Sequence, residues 1–147
     1  MKKFVFRLET LLRHRINIEE TERNAFTRIR AELLTELNHK DSLRAQQMQT
    51  RSELALLESG ACDMREIGWF YRFLDRLDVE MKRSDERIVE LEKHLEAQKQ
   101  KMIEASRDKQ MIENLKKKRK KEYVIAIEHE EQKTIDEIVV TRFALKP

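Results

Sequence analysis

Residues Lys116-Lys117-Lys118-Arg119-Lys120-Lys121 form an unbroken run of six cations. Such a run can hold a polyanion by displacing its counterions, serve as a nuclear-import peptide, or form the edge of something that fits inside a partner. The whole chain does not have a polyanion binder's profile. Its 31 basic residues face 28 acidic ones, a net charge of +3, which is a mixed surface with a mild basic excess. The other reactive groups are dispersed. His14, His39, His94 and His129 lie far apart, and none has the spacing that sets two imidazoles around zinc on one helical face. Carboxylates are plentiful, but no phosphate loop and no nucleophile motif accompanies them. We expect no metal, no cofactor and no enzymatic activity. The single cysteine, Cys62, excludes an internal disulfide and is expected as an exposed thiol of a reducing compartment.

A second cluster is aromatic. Trp69, Phe70, Tyr71 and Phe73 hold four of the nine aromatic rings. Rings on the outside of a thin helical structure are anchors for a partner. The competing reading is a cap over the turn and Met64.

The elements that position these residues follow from composition. Charged residues make up 40% of the chain, which has two glycines and one proline. Loop formers are nearly absent, and helix formers with regularly spaced apolar residues indicate a coiled coil. The breakers gather at Glu58-Ser-Gly-Ala-Cys-Asp63. Gly60 there can take the left-handed conformation that ends a helix. Asp63 can cap the next helix, with Glu66 in capping-box spacing. The expected fold is all-α: a long antiparallel two-helix coiled coil, with helix 1 over 4–58, a turn at 59–63 and a longer helix 2 over 64–142.

In the second helix Ile67, Leu74, Met81, Ile88, Leu95 and Met102 recur every seven residues, and Phe70, Leu77, Ser84, Leu91, Gln98 and Ala105 lie three further on. This is a heptad seam. Trp69 and Phe73 fall beside it. The first helix has a less regular stripe, from Phe4, Leu8 and Leu12 to Leu54 and Leu57, weakest over 44–52. A turn centred near residue 61 sets Leu43 against Leu77. It also brings the chain's start level with residue 121, so the second helix continues alone from about 122. Lys116–Lys121 then lie at the level where the first helix ends. Successive helical residues turn by about 100°, so the run is expected to encircle the shaft as a collar. Beyond it Tyr123, Ile127 and other apolar residues lack a partner helix, and such a face requires one.

The start, Phe4-x-Phe6-Arg7-Leu8-Glu9-x-Leu11-Leu12-x-x-Arg15, resembles the N-terminus of the FliJ family of the flagellar protein-export apparatus. Phe70-x-x-Phe73-Leu74-x-x-Leu77 is similar to that family's motif after the turn. Leu115-x-x-x-Arg119-x-x-x-Tyr123, followed by Glu130–Lys133 and Asp136-Glu137, is similar to its C-terminal part. The resemblance implies a two-helix coiled coil that is itself no enzyme. It implies a shaft that enters the hexameric export ATPase, promotes its assembly and activity, contacts the cytoplasmic part of the export gate, and escorts export chaperones. Carried onto this chain, the ATPase contact comprises Lys116, Lys117, Lys118, Arg119, Lys120, Lys121, Tyr123 and Ile127. The gate contact comprises Leu43, Trp69, Phe73 and Leu77. Gln46 and Thr50 stand where the family's face is often aromatic. The implied location is the cytoplasm, peripheral to the inner-membrane export apparatus. No signal peptide or membrane span is expected, and the chain is expected to be a monomer. An injectisome counterpart, a nucleic-acid-binding coiled coil and a scaffold homodimer are the alternatives.

Overall fold

The computed structural model describes residues 2–60 and 63–146. Two helices, α1 (Glu9–Glu58) and α2 (Met64–Leu145), account for nearly all of them. They pack against each other as an all-α hairpin whose second helix is the longer. Asp63 caps α2 as its sequence position predicts: its Oδ1 accepts a hydrogen bond from the Arg65 backbone N–H at 3.1 Å, which satisfies one of the helix's free donors. Gly60 departs from expectation. No described residue has a positive φ. Instead α1 closes on a tightened last turn, in which Gly60 N–H donates to the Leu57 carbonyl at 3.4 Å and the Ser59 hydroxyl donates to the Leu56 carbonyl at 2.8 Å. Cys62 lies outside the described residues.

The start of α1 is also later than the apolar spacing suggests. Residues 2–6 are non-helical, residues 7–8 form a turn, and the helix begins at Glu9. Phe6 is buried, Phe4 half-buried, and Val5 between them is 78% exposed. That alternation has the two-residue period of an extended chain. A helix would turn Phe4 and Phe6 about 200° apart and could not bury both.

The chain forms two compact units, Thr21–Met102 and Met1–Glu20 with Ile103–Pro147. In the first, the α2 seam is the predicted one: Leu77, Ser84, Ile88, Leu91 and Gln98 are buried, with Leu74, Met81 and Leu95 half-buried between them. The facing positions of α1 step by three and four through Glu22, Phe26, Ile29, Leu33, Glu36, Lys40, Leu43, Gln47, Thr50, Leu54 and Leu57. Five of these eleven are polar or charged, and each seam polar group has a specific partner. Ser84 Oγ donates to Glu36 Oε1 at 2.8 Å. Gln98 Nε2 donates to the Glu22 carbonyl at 3.1 Å and to the Glu22 carboxylate. Lys40 Nζ lies 2.5 Å from Asp85, Gln47 Nε2 donates to Asp78 at 2.8 Å, and Thr50 Oγ1 donates to the Gln46 carbonyl at 2.7 Å. Buried polar layers add little net stability compared with leucine, but they specify register.

The second unit has the same construction. Leu12, Ala105 and Phe6 are buried. Glu19 is only 3% exposed and lies 2.7 Å from Lys109 Nζ. Arg15 meets Asp108 at 3.3 Å and Glu9 meets Lys116 at 2.9 Å.

Candidate partner-binding surfaces

The basic run lies on α2 within the second unit, and the chain covers one side of it. Lys116 is tied to Glu9. Arg119 borders the groove beside Phe4, Phe6 and Leu8, and reaches Glu122 at 3.8 Å. Lys117, Lys118, Lys120 and Lys121 are exposed and make no ion pair among the described residues. These four span an arc of about 160° at 100° per residue. The expected collar is therefore a half-collar: four free cations face outward, while the other two face α1 and the extended N-terminal arm.

The arm also reaches further than a helix would. An extended residue advances about 3.3 Å against 1.5 Å in a helix. The Phe4 ring packs on Tyr123 at a centroid distance of 5.5 Å and a tilt of 48°. Lys2 borders a hollow with Tyr123, Ile127, Glu130 and Glu131. Tyr123 and Ile127 are consequently half-buried. The arm covers Tyr123, which the helical register left in the unpartnered overhang. Its neighbours Val124 and Ile125 are exposed and share an apolar hollow with Lys117, Lys120 and Lys121. Further along, Ile135, Ile138, Val139, Val140, Phe143 and Leu145 are all exposed.

The aromatic cluster sits in the first turns of α2, in the other unit. Trp69 stacks on Phe73 at 5.6 Å with rings 5° from parallel, and meets Phe70 edge-on at 5.2 Å. Trp69 is 53% exposed and Phe73 half-buried. Stacked pairs of this kind hold a large apolar surface in one orientation. Met64 is 78% exposed, so the rings do not cover it. Leu43 and Leu77, assigned by resemblance to the same contact, are 4% and 3% exposed. They are seam residues and offer almost no surface; heptad position alone already put Leu77 there. Of the two family-face residues, Gln46 is exposed and Thr50 buried. Tyr71 adds a cross-turn latch, its hydroxyl donating to Glu58 Oε1 at 2.8 Å. That bond, with the carboxylate's negative charge, raises the Tyr71 pKa above its ordinary value.

No group of three or more histidine, cysteine or acidic side chains suited to a metal occurs among the described residues. No helix among them is long and apolar enough to cross a membrane. The surfaces suited to recognition are thus an outward basic arc leading into an exposed apolar helix, and a stacked aromatic patch near the turn. No curated protein and no solved structure matches the chain. The family model for the flagellar FliJ protein matches residues 3–147, nearly the full length. Hairpin, heptads and family match agree: the chain belongs to the FliJ family and is a component of the flagellar export apparatus.

Proposed function

We propose that the protein is a coiled-coil shaft of flagellar export that enters the central pore of the hexameric export ATPase, promotes its assembly and activity, and links it to the export gate. The observation that carries this reading is the C-terminal part of α2. Beyond Tyr123 it continues as helix to Leu145 with its aliphatic residues exposed. A single helix in water does not hold so many apolar groups without a partner to cover them. Four unpaired lysines at its entrance supply cations for an acidic rim, where complementary charge steers encounter. Lys116, Arg119, Tyr123 and Ile127, partly engaged within the chain, support that surface from below. The Trp69–Phe73 stack is the gate anchor, with Leu43 and Leu77 holding the helices together beneath it. Export chaperones are further partners, and the protein works in the cytoplasm beside the inner-membrane apparatus.

The test is stimulation of the purified hexameric export ATPase. Reversing Lys117, Lys118 and Lys120 to Glu is expected to reduce stimulation at least about tenfold at low salt, because three favourable charges become repulsive. Unchanged stimulation by the triple variant would remove the basic arc from the ATPase contact.

A further inference from the structure

On the face of α2 centred on Val124, the charges four and seven residues to either side read the same in both directions once sign is inverted. Lys117 lies seven residues before Val124 and Lys120 four before; Lys121, three before, adds a cation whose mirror position is the apolar Ile127. Glu128 lies four after, and Glu131 seven after. At 100° per residue, all five fall within about 60° of Val124 around the helix. All are exposed, Val124 itself by 44%. None of the five makes an ion pair among the described residues, although Glu131 also borders the hollow beside Lys2. The N-terminal arm and α1 lie on another side, where Tyr123 meets Phe4 and Lys116 meets Glu9, so this face is open.

We propose that this face binds a second copy of the chain in antiparallel orientation, about a two-fold axis through Val124. A two-fold contact places one patch against itself reversed. Val124 then packs on Val124 of the second copy, Lys117 meets its Glu131, and Lys120 and Lys121 meet its Glu128. Every charged pair occurs twice and every one is attractive. A parallel arrangement would set lysine on lysine and glutamate on glutamate, which the same pattern excludes. The self-complementary spacing is what selects a second copy over an unrelated partner, since an unrelated helix imposes no symmetry about Val124. The contact covers Lys117, Lys120 and Lys121, so it competes with any other partner that uses them. Self-association would therefore hold the protein in reserve until that partner is present.

The test is sedimentation velocity of the full chain from micromolar to several hundred micromolar concentration, at low and high salt. Dimer that forms with concentration and weakens with salt is expected. Lys117→Glu with Lys120→Glu and Lys121→Glu is expected to weaken it at least about tenfold, since attractive pairs in both halves become repulsive. Adding Glu128→Lys and Glu131→Lys to that variant restores the pattern with signs exchanged, and dimerisation returns. All five positions are exposed, and circular dichroism confirms that each variant keeps its helicity. A wild-type chain that stays monomeric throughout overturns the proposal. So does a fivefold variant that associates no better than the triple one.

Discussion

Leu77→Ala separates a packing role from a binding role at a position the family resemblance assigns to the gate contact. Leu77 is 3% exposed in the heptad seam. Truncating a buried leucine costs about 2–5 kcal/mol, from lost transfer energy plus the cavity left behind. A two-helix seam has no third layer to hold the cavity open and can partly collapse, so the low end applies, about 2–3 kcal/mol. For a chain of this size each kcal/mol lowers the melting temperature by about 2–4 °C, giving a drop of roughly 5–10 °C. The assay is urea and thermal unfolding followed by helical circular dichroism, alongside binding to the cytoplasmic part of the export gate at two temperatures. Leu77→Ala should lower the unfolding midpoint, and binding should return when the sample is cooled to where the variant is folded. Trp69→Ala is the counterpart. With about half its surface in water, it should cost no more than about 1 kcal/mol of stability while weakening binding at every temperature. If Leu77→Ala left the midpoint unchanged and still abolished binding, the placement of Leu77 inside the seam would be wrong.

Tyr71 is expected to ionise at a higher pH than an ordinary tyrosine, because its neutral hydroxyl donates to Glu58. A raised folded-state pKa favours the protonated form, so the latch's contribution is complete below the ordinary value of 10.0 and is lost as pH rises through the raised one. Titration by phenolate absorbance should show the late transition in the wild type and its return toward the ordinary value in Glu58→Gln. Phe4→Ala should release the arm from Tyr123, costing about 1 kcal/mol for the ring pair and its burial. The expected signature is faster amide exchange over residues 2–12 and an exposed Tyr123, with the Trp69 environment unchanged; slow exchange retained at Leu12 and beyond together with faster exchange at Trp69 would show the arm to be unimportant for its own unit.

The two helices differed in how much of them could be read from sequence. In α2 the seam positions are mostly apolar, so Ile67 through Ala105 announce both the helix and its buried face. In α1 the same three-four spacing is carried by Glu22, Glu36, Lys40, Gln47 and Thr50 as well as by leucines. A hydrophobic pattern cannot register those positions, because their fit depends on partners such as Ser84 and Gln98 on the other helix. The stretch over 44–52 looked weak for that reason and is in fact regular. Spacing does not reveal the arm, because Phe4, Leu8 and Leu12 also satisfy a helical period; only the burial of Phe6 with exposure of Val5 distinguishes the extended form. Gly60 marked the end of α1 correctly, while the tightened turn made its left-handed freedom unnecessary. For the basic run, the residue types were legible, but which lysines are free depends on Glu9 and the arm. Leu43 and Leu77 show the reverse case, in which a family motif marks positions whose physical role here is to bind the two helices together.

The polar layers of the seam have a mechanical consequence. Sliding α2 by one heptad against α1 would move Glu36 from Ser84 to Leu77 or Leu91, and Glu22 from Gln98 to Leu91 or Ala105. Each step would bury a carboxylate against hydrocarbon, at a cost of several kcal/mol per charge. An all-leucine seam would make such slippage nearly free. Here a push or twist delivered to one helix of a unit must be carried by its neighbour without creep, so the zipper of mismatched polarity acts as a set of detents that keeps the two helices of a unit in step under load.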